Sequence, residues 1–323
     1  MRGTEKKSAL VEILIFSAGA VVFFELSAFL VIFVIPLAVL YRRRGFYAGL
    51  FGSCMTAAGI AIIRLYQMQS ASSGAVRYDL LGVTLVVPLS FLIGLCLLEA
   101  PQLARLRIWQ RLVCAALAAG VVYLPLLYLL VVSEEFDTLL RAQVEAIMRA
   151  VQGVQAPGTL PAAVNVEEIV RLSKKVFLNT FLAGYLFTLA ANWVIGVKMA
   201  MRMNGAAGEF PPYRSFRLPD KAVYVFLVSW AVVFAAFFRD MGIAGAAAWN
   251  CALVISLLYM CQGIGIIKIR TEAVPRAFRL LVMIVCATLV FTAGLAFIFG
   301  IMAGVALLGV SELWINYRNK VRS

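Results

Sequence analysis

The residues that could do chemistry are few. The chain of 323 residues has no histidine, so the usual general base and commonest metal ligand are absent. Cys54, Cys96, Cys114, Cys251, Cys261 and Cys286 each fall inside or at the edge of an apolar run. None has metal-ligand spacing, and all read as small packing groups. Serine and cysteine lack an evident base, and no paired carboxylates stand where a general acid and base would. The expectation is therefore no enzyme, no catalytic residue, no bound metal and no cofactor. What remains is a set of polar residues within apolar stretches: Glu12, Glu25, Arg64, Asn179, Asn192, Asn250, Gln262 and Glu312. A charge at membrane depth is costly and so a functional candidate, but Glu12, Glu25 and Glu312 fall near the ends of their runs and read first as interfacial. Arg64 can pair with an outer carboxylate or reach the interface. Asn192 beside Trp193 and Asn250 beside Trp249 lie deeper. Together with Gln262 they are the candidate ligand contacts, although amides in such positions more often bond one helix to the next.

These groups need apolar elements to position them. The chain is 63% hydrophobic and 14% charged, against about 25% charged in a soluble domain. A hydrocarbon core of about 30 Å takes roughly 20 apolar residues in a row. Thr84–Leu98 with its neighbours, Leu112–Val132, Val176–Val197 and Gly242–Gln262 meet that length. They do not alternate as membrane strands would. The fold class is all-α, a polytopic transmembrane bundle of about ten segments. Leu10–Leu40 would be roughly 46 Å as one helix and Leu280–Ile315 roughly 54 Å. The first is expected to be two short helices meeting around Glu25, and the second a hairpin broken near Gly300.

The net charge of +13 reads as topology rather than nucleic-acid binding, since cytoplasmic loops retain Lys and Arg. With the amino terminus inside and sides alternating, most of the 29 Lys and Arg fall on inside loops. The exceptions are Arg64, Arg77, Arg141, Arg149, Arg171, Lys174, Lys175 and Arg239. Both termini are thus expected inside, in a bacterial cytoplasmic (inner) membrane, with basic Met1–Lys7 opening a retained first helix. Residues 1–132 make a first membrane half, 133–175 an extracytoplasmic segment and 176–323 a second half. In the outer segment, Phe136, Leu139, Leu140, Val144, Ile147, Met148 and Val151 recur at helical spacing. Gly153–Ala163, with Pro157 and Pro161, breaks that helix, and Asn165 followed by Glu168 reads as a new helix start. Gly45, Gly49, Ser53, Ala57 and Ala61 fall every four residues, a spacing that lets membrane helices approach closely.

Phe216-Arg217-Leu218-Pro219-Asp220 precedes the seventh segment, and Leu257-Leu258-Tyr259-Met260-Cys261-Gln262-Gly263 follows Asn250. With Pro36 and the Arg42–Gly45 stretch, these resemble the YybS-like family of predicted bacterial membrane proteins, domain of unknown function 2232. The resemblance covers most of the chain. It implies distant similarity to the substrate-binding subunits of energy-coupling-factor transporters and to MreD-type cell-shape proteins. It speaks to fold more than activity and assigns no ligand residue. The function expected is a small-molecule transporter or a transporter's substrate-binding subunit. The chain has no ATP-binding P-loop motif and no visible proton path, so energy would come from partner membrane subunits. The alternative is a non-catalytic scaffold in cell-envelope or cell-shape assembly. Expected partners are the lipid bilayer, other membrane subunits and a small molecule of unspecified identity. Its site is expected as an outward-facing pocket roofed by Glu134–Lys175 and lined partly by Asn192 or Asn250.

Overall fold

The apolar run Leu10–Leu40 stops being helical where Glu25 interrupts it. The computed structural model describes residues 2–26, 31–71, 78–154, 165–205, 216–239, 241–272, 274–315 and 317. In it, α1 (Arg2–Glu25) ends on that glutamate and is a full 24 residues long, not the short helix expected. The short member is α2 (Ile35–Arg44), whose 10 residues cover about 15 Å, half of a hydrocarbon core. Val31–Val34 ahead of it form turns. Pro36 sits in the first turn of α2, where a missing N–H leaves nothing unsatisfied. Gly45 closes the helix at φ 86°, a left-handed conformation that glycine adopts without a Cβ clash.

The remaining helices are α3 (Phe46–Ala71), α4 (Tyr78–Glu99), α5 (Ile108–Val132), α6 (Glu134–Val154), α7 (Val166–Met203), α8 (Ala222–Ala235), α9 (Gly242–Glu272) and α10 (Arg276–Ser311). No strand occurs among the described residues. Among them, 5 helices are long and apolar enough to cross a membrane: Ser8–Glu25, Phe46–Ser70, Ile108–Val132, Val166–Met203 and Gly242–Thr271. Thr84–Glu99, Ala222–Ala235 and Phe297–Ser311 are apolar but shorter. Apolar runs also cover turns, as at Val31–Val34. In the last run the helical backbone breaks at Gly294 (φ 63°, ψ −149°), not near Gly300, which lies within the helix. That φ/ψ region is nearly exclusive to glycine, and which of several glycines adopts it is decided by packing.

Helix α2 is the centre of the bundle. Pro36–Tyr41 are all buried, with α1, α3 and α7 around them. Outward from it, α4 packs on α3 and α5, α5 on α7, α7 on α9, and α9 on α8 and α10. A file of aromatic contacts crosses the interior through Phe24, Phe33, Phe91, Tyr185 and Tyr123. The small-residue ladder divides by direction. Gly45 is a cap, a Cβ on Gly49 would overlap the Tyr41 ring, and Ser53 lies 3.4 Å from the Tyr41 hydroxyl. Ala57 and Ala61 are half-buried. A second stripe one position along, Gly52, Thr56 and Gly59, faces α1: Ser17 Oγ donates to the Gly52 carbonyl (3.1 Å), and a Cβ on Gly59 would meet Val21.

Ion pairs tie the helix ends. Glu12 meets Arg44 at 2.7 Å and Arg43 at 3.4 Å. Arg42 Nε and Trp193 Nε1 both donate to Glu99 Oε1, at 2.8 and 2.6 Å. Arg64 pairs with Glu25 at 3.5 Å and donates to Gln67 at 2.9 Å. Glu312, at the C-cap of α10, is 4% exposed and accepts from Gln262 Nε2 at 2.9 Å. Helix α6 turns Phe136, Leu140, Val144 and Met148 away from solvent while Leu139 and Ile147 stay exposed. Lys174–Asp137 and Arg141–Glu167 pairs fix it to α7. Pro157 and Pro161 lie outside the described residues. Asn165 Oδ1 accepts the Glu167 N–H at 3.0 Å, starting α7, which continues without interruption to Met203.

Candidate functional site

The deep amides lie between helices. Asn250, 5% exposed, donates from Nδ2 to the carbonyls of Leu178 (2.6 Å) and Ala246 (2.9 Å) and accepts from the Leu182 N–H (3.0 Å). Leu178 and Leu182 are the two residues that one helical i→i−4 bond would join, so the amide from α9 engages both ends of that step in α7. Gln262, 2% exposed, accepts from the Leu218 N–H (2.9 Å) and donates to the Gly309 carbonyl (3.1 Å) and to Glu312. It thereby links the segment before α8 to α9 and α10. Asn192 donates to the carbonyls of Val31 (2.6 Å) and Thr188 (2.7 Å), holding the turn ahead of α2 against α7. Its Oδ1 has no hydrogen-bond partner among the described residues.

Close helix approach is concentrated at a few glycines. A Cβ on Gly196 of α7 would stand 3.1 Å from the Ile35 carbonyl of α2. On Gly263 it would overlap the Val305 carbonyl, and on Gly309 the Tyr259 carbonyl, so α9 and α10 meet backbone to backbone. At Gly300 and Gly304, whose spacing looks equally suited to packing, a Cβ would meet nothing within 4 Å among the described residues.

Between α5, α7 and α9 lies a cavity of about 280 Å³. Ile108 comes from α5, Ala191 and Trp193 from α7, Cys261 and Ile264 from α9, and Phe216 from the segment before α8. None of Asn192, Asn250 and Gln262 lines it, and neither does any residue of Glu134–Lys175. The one indole N–H on its wall is held by Glu99. Such a space recognises shape and apolar surface, not a pattern of donors and acceptors. Sequence inspection named Trp193, Phe216, Met260 and Cys261 but did not bring them together, because each is an ordinary apolar residue of its own segment. The adjacent small residues Ala190 and Ala191 of α7, on a wall shared with bulky Leu257 and Met260, were a signal that could have been read.

The family model described as a predicted membrane protein (DUF2232) matches residues 10–302. The chain belongs to that family. The match takes in the half-helix α2, the cavity-lining parts of α5, α7 and α9, and most of α10. No curated protein and no solved structure matches the chain. As a DUF2232 protein it is a membrane protein with several apolar helices, and what those helices hold must be argued from their geometry.

Proposed function

We propose that this DUF2232 protein is a non-catalytic, membrane-embedded binding subunit for an apolar small molecule, serving transport together with partner membrane subunits that supply the energy. The observation that carries this reading is the cavity of about 280 Å³ between α5, α7 and α9. The space is half open, with Phe187 and Ile195 exposed on its wall, and its almost wholly apolar lining favours an apolar occupant over water. Mass spectrometry of protein purified in mild detergent tests it. An apolar molecule should co-purify with the natural protein and fall at least about tenfold with Ala191→Phe, because the added ring occupies the space. Ala191→Leu should give an intermediate loss if the larger ring impairs folding. Full retention by both variants, with unaltered thermal unfolding, would remove the binding role.

A scaffold in cell-envelope assembly is the second reading, in line with the resemblance to MreD-type proteins. The observation favouring it is that Asn192, Asn250 and Gln262 are bonded to helices rather than turned into the cavity. On either reading the setting is a bacterial inner membrane with both termini cytoplasmic and α6 outside, supported by where Lys and Arg fall. Single cysteines at Gly153 and Gly205 should then be labelled by an impermeant thiol reagent from opposite faces of the membrane. Labelling of both from one face would contradict this orientation.

A further inference from the structure

We infer that Phe216 sets by size which apolar molecules the cavity admits, and that Gln262 positions it by holding the segment ahead of α8 against the cavity. This rests on the cavity being a binding site. Among the described residues that line the space, Phe216 alone lies outside a helix; the others stand on α5, α7 and α9. A helical wall satisfies its own backbone, whereas a non-helical strap needs partners from elsewhere to stay in place. Pro219 favours an extended conformation at Leu218, and successive side chains of an extended segment point to opposite sides. The exposures follow that alternation: Phe216 is half-buried, Arg217 exposed and Leu218 buried. Phe216 and Leu218 therefore share the inward side, the first in the cavity wall and the second in the core.

Gln262 fixes this strap. Its Oε1 accepts the Leu218 N–H at 2.9 Å, two residues from the ring that lines the cavity, while its Nε2 donates to the Gly309 carbonyl and to Glu312. The amide is itself buried and directly follows the lining residue Cys261 in α9. Beyond Leu218, the Ala222 N–H donates to the Pro219 carbonyl at 2.8 Å as α8 begins. Removing the Gln262 acceptor takes from the buried Leu218 N–H its bond to α9, so the strap must shift to satisfy it, and Phe216 moves with it. Gln262, which touches no part of the space, thus acts on it through one backbone bond.

Cys261 lines the cavity and reports what enters it. In full-length protein whose other cysteines are alanine, its modification by N-ethylmaleimide and by the bulkier N-pyrenylmaleimide is timed in detergent by mass spectrometry. The ratio of the two rates measures admission by size, which overall stability does not set. Phe216→Ala should raise the relative rate of the bulky reagent about tenfold, the scale on which pockets discriminate small differences in fit. Gln262→Leu should raise it too, and the two changes together no further, because both act through one ring. Gln262→Glu keeps an acceptor for the Leu218 N–H but alters the bonds to α10, so thermal unfolding should fall while the ratio stays natural. An unchanged ratio in Phe216→Ala would overturn Phe216 as the selecting wall. An unchanged ratio in Gln262→Leu, or independent effects of the two changes, would overturn Gln262 as its positioning residue. A ratio altered as much by Gln262→Glu as by Gln262→Leu would place the effect in the α10 contacts and overturn the strap bond. Ala191→Phe separates the underlying reading: if it slows neither reagent, the cavity is not their route and the binding site itself falls. If it slows both while the ratio ignores Phe216 and Gln262, the cavity stands and this inference falls.

Discussion

Gly263→Leu is expected to separate α10 from α9 and to produce the largest loss of stability of any single change considered. A Cβ at this position would already overlap the Val305 carbonyl, and Gly309 makes the reciprocal approach to Tyr259. Backbone has no alternative rotamer by which to yield, so the helices must part. Parting them also pulls the Gly309 carbonyl and Glu312 from Gln262. Overpacking alone costs about 1–3 kcal/mol, and a buried polar group left without its partner adds about 1–3 kcal/mol. Thermal unfolding in detergent reads the sum. Gly300→Leu, on the partner helix α10, is the control, with open space around it among the described residues, and its unfolding should be unchanged. Equal tolerance of the two leucines would mean that α9 and α10 do not touch as described.

Asn250→Leu should destabilise by about 1–3 kcal/mol without displacing a ligand. Leucine nearly preserves the volume but removes the donor and the acceptor that join α9 to the backbone of α7, along with a bond back to Ala246 within α9. The α7 groups at Leu178 and Leu182 can still bond each other, which sets the loss below that of orphaning both. In bilayers such interhelical bonds average nearer 0.6 kcal/mol, so a value toward the lower end is the more conservative expectation. Thermal unfolding and ligand retention are to be measured on the same preparation. Loss of a bound molecule with unchanged unfolding would make Asn250 a ligand contact after all.

How much of this was legible in the sequence depended on the range of the interaction. The helical membrane class followed from uninterrupted apolar runs, because bilayer thickness acts on each run locally. The break at Glu25 was visible for the same reason, as was the α6 face built on Phe136, Leu140 and Val144, whereas Gly45, read as a packing rung, is the cap of α2. A short helix after Glu25 was legible, but its late start at Ile35 was not: Val31–Val34 are as apolar as any helix, and Asn192 holds their turn by donating to Val31 from 161 residues away. Gly294 and Gly300 are indistinguishable in sequence, and so are Gly300 and Gly309 as packing positions. The ladder Gly49, Ser53, Ala57, Ala61 was visible as a spacing, yet the stripe Gly52, Thr56, Gly59 also meets α1, at Ser17 and Val21, and was hidden by the polar threonine. The cavity was the least legible of all. It is a shape left between side chains of α5, α7, α9 and Phe216, and no one residue announces it.

Trp193 offers the most direct measurement of whether that cavity holds an apolar molecule, since its ring lines the wall. In a protein whose other tryptophans are replaced by phenylalanine, fluorescence would be titrated with a lipid brominated along its chain, in detergent and with the unbrominated lipid as competitor. A binding site predicts saturable quenching of Trp193 that the competitor reverses and that Ala191→Phe abolishes. Quenching that rises linearly with no saturation, or that persists unchanged in Ala191→Phe, would contradict it.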